Sequence, residues 1–430
     1  MSRQKKRVAL FVAGISLVAN NARVSNHLTS EYGFLVEVIE PALPTPPLVY
    51  IPPLVYIYPS PPGQSPQDLM KCIQQKFPND DITKDSGHKI PGIAVYAQED
   101  IGEWFLHEQL LRYKSITNNR SQADYFVVNP MPVLSRVADS CNGTNHVQRQ
   151  VAWTKILQSS QEFQNSPRKH IFICQSWMCH RLVEKGLKKQ VAKMTYLIHE
   201  RNSKWPGLDL TTFDPRTQIL VVPYVGHSDI LPFTTTSATS HNDSHNDQTR
   251  QEKKRHMVTF VGSVKRDTAW RFPIAEMRGI NFRDKGLMTK QTTEEFSVYA
   301  NEMMSSTFCL VPTGDTPSSR RLFDAMLAGC IPVFVGIPYD RPFEDIIPYE
   351  SFSIRLNGTK YLNGQHQQEI DKLLNFTAEE IDVKRNEMAR YVQYIDWRHG
   401  NSTLEAILHG MENMSKNNVI SRNVTVVDWT

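Results

Sequence analysis

About three quarters of the way along the chain, two apolar runs are separated by a stretch of turn residues and a segment of helical character. This pattern predicts two strands joined by a turn and a helix. The first apolar run ends at Val311, and the sequence Pro-Thr-Gly-Asp-Thr-Pro then interrupts it with residues typical of turns. A helix is predicted next, with Thr316 as its cap, Pro317 at its first position and Gly329 as its left-handed end. Ile331–Val335 is predicted as the following strand.

A second helical rhythm lies closer to the C-terminus. Ile381, Met388 and Val392 recur at helical spacing, and Thr377 precedes them as a suitable N-cap. We therefore predict a closing helix, whose polar face is solvated.

The turn before the first of these helices has the chemistry of an anion site. Free N–H groups of Ser318, Ser319 and Arg320 would combine with the helix dipole to hold a phosphate or diphosphate. Arg320 and Arg321 carry guanidinium groups that suit phosphate oxygens, and Asp324 lies one turn beyond Arg320 on the same face. This spacing predicts a nucleotide site in which Asp324 accepts from ribose hydroxyls.

Two simpler interpretations compete with a nucleotide-sugar site. Arg320 and Asp324 are also spaced as an ordinary helical ion pair, which stabilises a helix by only about 0.3 to 0.5 kcal/mol. A cytosolic nucleotide-binding enzyme is disfavoured, because the sequence contains neither a Walker loop nor a Gly-x-Gly-x-x-Gly fingerprint.

The segment Gly314–Ala325, together with Gly329–Val333, resembles the signature of the exostosin-like glycosyltransferases. The resemblance implies an α/β protein with two facing Rossmann-like domains of the GT-B type, which transfers a sugar with inversion from a nucleotide donor, a uridine diphosphate sugar in this case. It also implies that the following residues bind the donor, with Asp324 at the nucleoside: Gly262, Arg271, Ser318, Ser319, Arg320, Arg321 and Asp324.

Scattered blocks extend the resemblance over residues 92 to 390, with 93–99 as the opening strand and 107–111 in the first helix. Lys169 stands where the family has an aspartate before a histidine, which places a role for His170 in acceptor chemistry in doubt.

An inverting transfer needs a base for the acceptor hydroxyl. The weak candidates from the first domain are Glu99, Asp100, Glu103, His107 and His170. No metal site is predicted, because the sequence has no Asp-x-Asp and no convincing Cys/His cluster.

The N-terminus carries basic residues ahead of an apolar run, Val8–Ala19. This is typical of a targeting segment, and a cleaved signal peptide, a membrane anchor and a buried strand all stay open. Pro41–Pro66 is proline-rich, repeats Pro-Pro-Leu-Val-Tyr-Ile and is predicted as an extended stem, although its aliphatic residues would equally allow it to dock on the folded body.

The predicted organisation divides the chain into six parts. They are a targeting segment at 1–40, the stem at 41–66, an acceptor-side domain at 67–233, a polar linker at 234–256, a nucleotide-sugar domain at 257–376, and a closing helix and tail at 377–430. The net charge of +4 is spread along the chain, so a nucleic-acid partner is not indicated.

Cysteines and sequons place the protein in the secretory pathway. Six cysteines could pair, although the connectivity cannot be read from the sequence. The sequence contains eight Asn-X-Ser/Thr sequons, whereas about three or four would be expected by chance. We expect the Golgi or another secretory lumen, as a single-pass type II membrane protein or a secreted one.

The sequence therefore predicts an inverting, metal-independent glycosyltransferase that needs no cofactor besides its donor substrate. Its partners would be a nucleotide sugar and a polysaccharide or glycoprotein glycan, and membrane attachment and a partner glycosyltransferase subunit are left open. The alternative is a non-catalytic glycan-binding or partner subunit that keeps the fold.

Overall fold

The structure is a computed structural model of the 430-residue chain. It describes residues 23–29, 35–40, 52–78, 101–176, 179–199, 218–230, 232–233, 256–264, 271–284, 293–313, 318–336, 341–398 and 400–416. The chain separates into a small N-terminal unit, Met1–Pro52, and a large unit, Pro53–Thr430.

Within the N-terminal unit, strands β1 (Arg23–Thr29) and β2 (Leu35–Glu40) pair in antiparallel fashion. The apolar run Val8–Ala19, on which the targeting prediction depends, lies outside the described residues. No helix in the described part of the chain is long and apolar enough to cross a membrane.

The first half of the large unit is a parallel five-stranded sheet in the order β3-β4-β5-β6-β7. Its strands are β3 (Val55–Ile57), β4 (Tyr125–Val128), β5 (His170–Ile173), β6 (Thr195–Ile198) and β7 (Gln218–Val221). All ladders are parallel, so the carboxyl ends of the strands meet at one edge.

Strand β3 corrects the predicted stem, because it is formed by the second copy of the Pro-Pro-Leu-Val-Tyr-Ile repeat. Val55 and Tyr56 are buried, and the strand pairs with β4 at the end of the sheet. Proline is tolerated at a strand's start and at sheet edges, which is why Pro52 and Pro53 can precede it. The stem prediction is therefore wrong over residues 53–66, where the chain already belongs to the folded unit.

The second half is another parallel five-stranded sheet, in the order β12-β11-β10-β8-β9. Its strands are β8 (His256–Gly262), β9 (Ile280–Asp284), β10 (Ser306–Pro312), β11 (Ile331–Val335) and β12 (Ile354–Arg355). The strand predicted at Ile331–Val335 is confirmed with its boundaries. The two parallel sheets confirm the predicted pair of Rossmann-like α/β domains, which we call the first lobe and the second lobe.

Helices cover the sheets and connect the strands. The α-helices of the described residues are α1 (Pro66–Lys76), α2 (Gly102–Arg112), α3 (Pro132–Ala138), α4 (His146–Ser159), α5 (Gln161–Asn165), α6 (Cys179–Leu182), α7 (Lys185–Val191), α8 (Thr293–Met304), α9 (Arg321–Leu327), α10 (Tyr349–Phe352), α11 (Gly358–Lys360), α12 (His366–Asp371), α13 (Ala378–Ala389), α14 (Val392–Ile395) and α15 (Ser402–Lys416). Helix α13 confirms the predicted closing helix, and Thr377 forms a capping box with Glu380 at its start.

The C-terminal part of the chain returns to the first lobe. The buried Gln109 of α2 donates to the Trp397 carbonyl over 2.9 Å and accepts from the Leu404 N–H over 2.8 Å. The Trp397 indole N–H donates to the Pro223 carbonyl over 2.8 Å. Residues that follow the second lobe in sequence therefore complete the first lobe.

All six cysteines form disulfides: Cys72–Cys141, Cys174–Cys179 and Cys309–Cys330. Cys309 and Cys330 are fully buried. Fully paired cysteines are typical of proteins that fold in an oxidising compartment.

Candidate functional site

The strand order of the second lobe marks the place where a ligand should bind. From β8 the chain moves to β9 on one side, whereas from β10 it moves to β11 on the other side. β8 and β10 are neighbours, so the direction of winding reverses between their carboxyl ends, at Gly262 and Pro312. In open α/β sheets, ligands bind in the crevice at such a switch point.

Arg321 lies at this switch point, held by the end of β8. Its Nη2 donates to the Val261 carbonyl over 2.9 Å, and the guanidinium lies over the Phe260 ring at 4.6 Å. Its Nε is buried and has no hydrogen-bond partner among the described residues. One donor of the fork is therefore held in position without a protein acceptor, as a diphosphate ligand requires.

Gly262 is needed for this close approach. A Cβ on Gly262 would lie 2.3 Å from Arg321 Nη2 and 2.8 Å from Phe260 Cζ, both shorter than real contacts. The absence of a side chain is thus what admits the guanidinium to the end of β8.

Arg271 joins the loops that follow β8 and β10. Its Nε donates to the Thr313 carbonyl over 3.0 Å and its Nη1 to the Ser263 carbonyl over 3.4 Å. Two guanidinium groups, those of Arg271 and Arg321, are therefore anchored at one crevice. The structure thus brings Gly262, Arg271 and Arg321, which lie in separate parts of the sequence, to the same end of the second sheet.

Asp324 occupies a different place from the one predicted. The residue is 1% exposed; its Oδ1 accepts from the His227 N–H over 2.7 Å and its Oδ2 from the Tyr299 hydroxyl over 2.8 Å. Arg320 Nε lies 3.5 Å from Oδ2. A contact with ribose would need an open carboxylate, so this arrangement contradicts the predicted role and makes Asp324 a positioning residue.

Tyr299 is suited to donate to this carboxylate. Burial, and then the nearby charge of Asp324, hold the pKa of the Tyr299 hydroxyl well above its usual value. The hydroxyl therefore stays protonated and serves as a donor. His227 belongs to the loop after β7, so the Asp324 network joins the two lobes.

The helix after the signature turn begins later than predicted. Helix α9 starts at Arg321, and the proposed cap and first residue, Thr316 and Pro317, lie outside the described residues. Ser318 is buried and donates through Oγ to the His199 carbonyl over 3.3 Å, a contact with the other lobe. Ser318, Ser319 and Arg320 therefore precede the helix, and the prediction that their N–H groups belong to its first turn is wrong.

The end of this helix is as predicted. Gly329 has a φ of +66°, and the Cys330 N–H donates to the Ala325 carbonyl over 2.9 Å. A left-handed residue closes the helix and turns the chain into β11.

His170 is a core residue and is excluded as a base. It is fully buried, its ring stacks on Phe126 at 4.5 Å, and its nitrogens meet the Tyr58 hydroxyl at 3.0 Å and the Ser166 carbonyl at 2.9 Å. Burial lowers the pKa of His170 to about 4. His170 begins β5, at the opposite end of the strand from the carboxyl edge.

Two other base candidates also have structural partners. Glu103 is fully buried and accepts from the Leu134 N–H over 2.8 Å at the start of α3, while burial raises its pKa to about 8. His107 bonds Gln67 over 2.7 Å and packs on Trp104, and burial lowers its pKa. Glu99 and Asp100 lie outside the described residues.

The sequence analysis missed polar residues that follow the strands of the first lobe. Asn129 and His199 are the first residues after β4 and β6, and Gln175 is the second residue after β5. Each is buried, and each has one polar atom without a hydrogen-bond partner in the described part of the chain: Asn129 Oδ1, Gln175 Oε1 and His199 Nδ1. The signal in the sequence was a polar residue at the end of an apolar strand.

A glycine substitution tests the architecture of the switch point. We expect Gly262→Ala to displace Arg321 and weaken the binding of uridine diphosphate about tenfold, which is about 1.4 kcal/mol. Calorimetric titration measures the affinity. The matched control is Gly186→Ala, whose Cβ would make only ordinary contacts of 3.5 Å with Thr154. Equal affinities for both variants would contradict the assignment.

Comparison with known proteins agrees with the signature. The chain is 33% identical over 117 residues to a probable arabinosyltransferase of Arabidopsis thaliana, covering 27% of this chain and 26% of that protein. It is 30% identical over 161 residues to a probable xyloglucan galactosyltransferase of the same plant, covering 34% of this chain and 33% of that protein. The chain thus matches about a quarter to a third of the length of these relatives.

Solved structures give a weaker likeness. The lipopolysaccharide glycosyltransferase WaaG aligns with 73% of this chain and 96% of its own at 11% identity and a TM-score of 0.33. Anabaena HepE, solved with UDP-glucose, aligns with 84% of this chain and 99% of its own at 9% identity and a TM-score of 0.34. The fold assignment rests instead on the strand orders given above.

The family profile of the Exostosin GT47 domain matches residues 52–366. This match begins 40 residues before the start expected from the sequence and coincides with the repeat that forms β3. It covers most of the chain, including both parallel sheets and the switch point between β8 and β10. The resemblance is confirmed, and the chain belongs to the Exostosin GT47 domain family.

Proposed function

We propose that this chain is an inverting glycosyltransferase, which moves a sugar from a uridine diphosphate donor to a hydroxyl of a polysaccharide or glycan. The observation that supports this most is the pair of anchored guanidinium groups, Arg271 and Arg321, at the switch point of the second lobe. A diphosphate leaving group gains negative charge as the glycosidic bond breaks, and fixed positive groups at that position lower the barrier.

The charge on these arginines supports a reaction without a metal ion. Arg271 and Arg321 are each fixed to main-chain carbonyls, so their positive charge is already in position before the donor binds. Metal independence and inversion both stay predictions, and the stereochemistry of the product would decide the second.

The names of the relatives support polysaccharide acceptors. They include probable arabinosyl-, xylosyl-, galactosyl- and glucuronosyltransferases of plants. Because these relatives are named for different sugars, assays with a panel of nucleotide sugars are needed to identify the sugar that this chain transfers.

Disulfides and exposed sequons support a secretory lumen. All six cysteines are paired, and the sequon residues Asn119 and Asn142 are exposed at the surface of the first lobe. We propose the Golgi or another secretory compartment, with a type II anchor or a cleaved signal as alternatives.

The position of His170 argues against the alternative of a non-catalytic subunit. The altered Lys169-His170 segment lies at the amino end of β5, whereas the crevice lies at the carboxyl edge. The departure from the family pattern therefore gives no reason to infer a lost acceptor site.

Calorimetry on the secreted protein tests the proposal. We expect uridine diphosphate to bind at micromolar concentration, about −8 kcal/mol, and one of UDP-xylose, UDP-galactose, UDP-glucuronic acid or UDP-arabinose to support transfer to plant cell-wall oligosaccharides. Well-folded protein that binds no nucleotide would overturn the donor site. Binding of oligosaccharides without any transfer would favour the non-catalytic subunit instead.

A further inference from the structure

His199 is a first-lobe residue that contacts Ser318 of the second lobe. It follows β6 (Thr195–Ile198) directly, so its backbone lies at the carboxyl edge of the first sheet. Its carbonyl accepts from the Ser318 hydroxyl over 3.3 Å. Ser318 is three residues before Arg321, whose guanidinium occupies the donor crevice. The main chain of His199 therefore contacts the segment that carries the proposed donor site.

The imidazole of His199 differs from those of His170 and His146 in its bonding. The nitrogens of His170 and His146 all have hydrogen-bond partners. His199 is 4% exposed and packs on the Tyr224 ring at 4.1 Å, yet its Nδ1 has no partner within the described residues. A buried polar atom without a partner costs about 1 to 3 kcal/mol, which calls for a functional reason.

Two neighbouring strand ends carry the same feature. Gln175 and Asn129 follow β5 and β4, the next strands in the sheet, and each keeps a buried amide oxygen without a partner among the described residues. Their amide N–H groups are engaged, Gln175 with the Pro223 carbonyl over 2.7 Å and Asn129 with the Glu103 carbonyl over 3.1 Å. The Gln175 oxygen lies against Gly102, so the acceptors left for a ligand rich in hydroxyl groups are the Asn129 oxygen and the His199 nitrogen.

We propose that His199 is the catalytic base that takes the proton from the acceptor hydroxyl. This inference rests on the proposed glycosyl transfer. The acceptor oxygen forms a bond to the anomeric carbon, and the bond from that carbon to the donor diphosphate breaks with its electron pair on the phosphate oxygen. The hydroxyl proton goes to an imidazole nitrogen of His199 and is later released to water.

The electrostatics of the site are consistent with this role. Burial lowers the pKa of His199 to about 3, so the ring is neutral and can accept a proton throughout the physiological range. An imidazolium would be unfavourable in the unliganded site. A bound nucleoside diphosphate places negative charge beside the signature turn, and this charge stabilises the imidazolium as the proton arrives.

Kinetics on the full chain with the active UDP-sugar from the donor panel test the proposal. We expect His199→Ala and His199→Gln to lower kcat about 100-fold, while the KM for the donor and the affinity for uridine diphosphate change by less than about threefold. Added imidazole should restore part of the kcat of His199→Ala. The control is His107→Ala, a partly exposed histidine that packs against Gln67 and Trp104 and should keep the wild-type kcat.

The outcomes separate this inference from the proposed function. Wild-type protein that neither binds uridine diphosphate nor transfers a sugar would overturn the proposed function and the inference together. Wild-type transfer with unchanged kcat in His199→Gln would overturn the inference alone. A His199→Gln variant that loses uridine diphosphate affinity as strongly as kcat, with no response of His199→Ala to imidazole, would show a structural residue and overturn it as well.

Discussion

Replacing Arg321 with alanine is expected to lower turnover by about 10² to 10³-fold, because one fixed charge at the developing diphosphate is lost. The affinity for uridine diphosphate should fall as well, by the 1.5 to 3 kcal/mol, about 10 to 150-fold, that a hydrogen bond to a charged group contributes. Arg321 Nε has no protein partner in the described part of the chain and is left for the ligand, whereas loss of the Val261 bond and the Phe260 contact should also lower the free energy of unfolding. Steady-state kinetics and calorimetry measure the two effects.

Arg341 provides a matched control for Arg321. Its side chain is 13% exposed and contacts aromatic rings, as does that of Arg321, but its charge is already paired with Glu344 and Glu350. Arg341→Ala should leave nucleotide affinity unchanged. If both variants lose affinity to the same extent, the effect is general and the switch point is not the donor site.

Replacing Asp324 with alanine is expected to destabilise the protein by about 3 to 5 kcal/mol, the cost of removing one partner from a buried charged network. The substitution leaves the His227 N–H and the Tyr299 hydroxyl without their acceptor and takes the carboxylate away from Arg320. Unfolding in denaturant, followed by circular dichroism, gives the free energy. Because the network joins both lobes, nucleotide affinity should fall in parallel.

Two further variants define the size of the Asp324 effect. Tyr299→Phe removes a single hydroxyl from the network and should cost about 0.5 to 1.5 kcal/mol. Glu350→Ala removes an exposed carboxylate that pairs with Arg341 and should cost about 0 to 1 kcal/mol. An Asp324→Ala protein as stable as Glu350→Ala would show that Asp324 does not hold the lobes.

The sequence predicted correctly those elements that depend on neighbouring residues, such as helix caps and apolar runs. Thr377 begins a helix because its side chain and that of Glu380 satisfy each other's backbone N–H groups. Gly329 ends a helix because the chain needs a left-handed residue there, and the apolar run after it is a strand. The signature also located the crevice, since it contains Arg321 and directly follows β10 in sequence.

Distant partners decided the features that the sequence analysis missed. Strand β3 reads as a proline-rich spacer until β4 is known to pair with it. Asp324 looks like an exposed helical carboxylate, but Tyr299 and His227 bury it, and neither lies within 24 residues in sequence. His170 resembled a site residue because a short motif does not show that Phe126 stacks on its ring.

The return of the C-terminal residues to the first lobe sets an order for biosynthesis. Gln109 is made early, but both partners of its buried amide, Trp397 and Leu404, are made about 290 residues later. A nascent first lobe therefore has an unsatisfied polar group and an uncovered surface at β7, where Gly410 of α15 packs on Leu220 in the finished protein. The first lobe can therefore close only after Gly410 has left the ribosome, and until then its uncovered apolar surface is prone to aggregation.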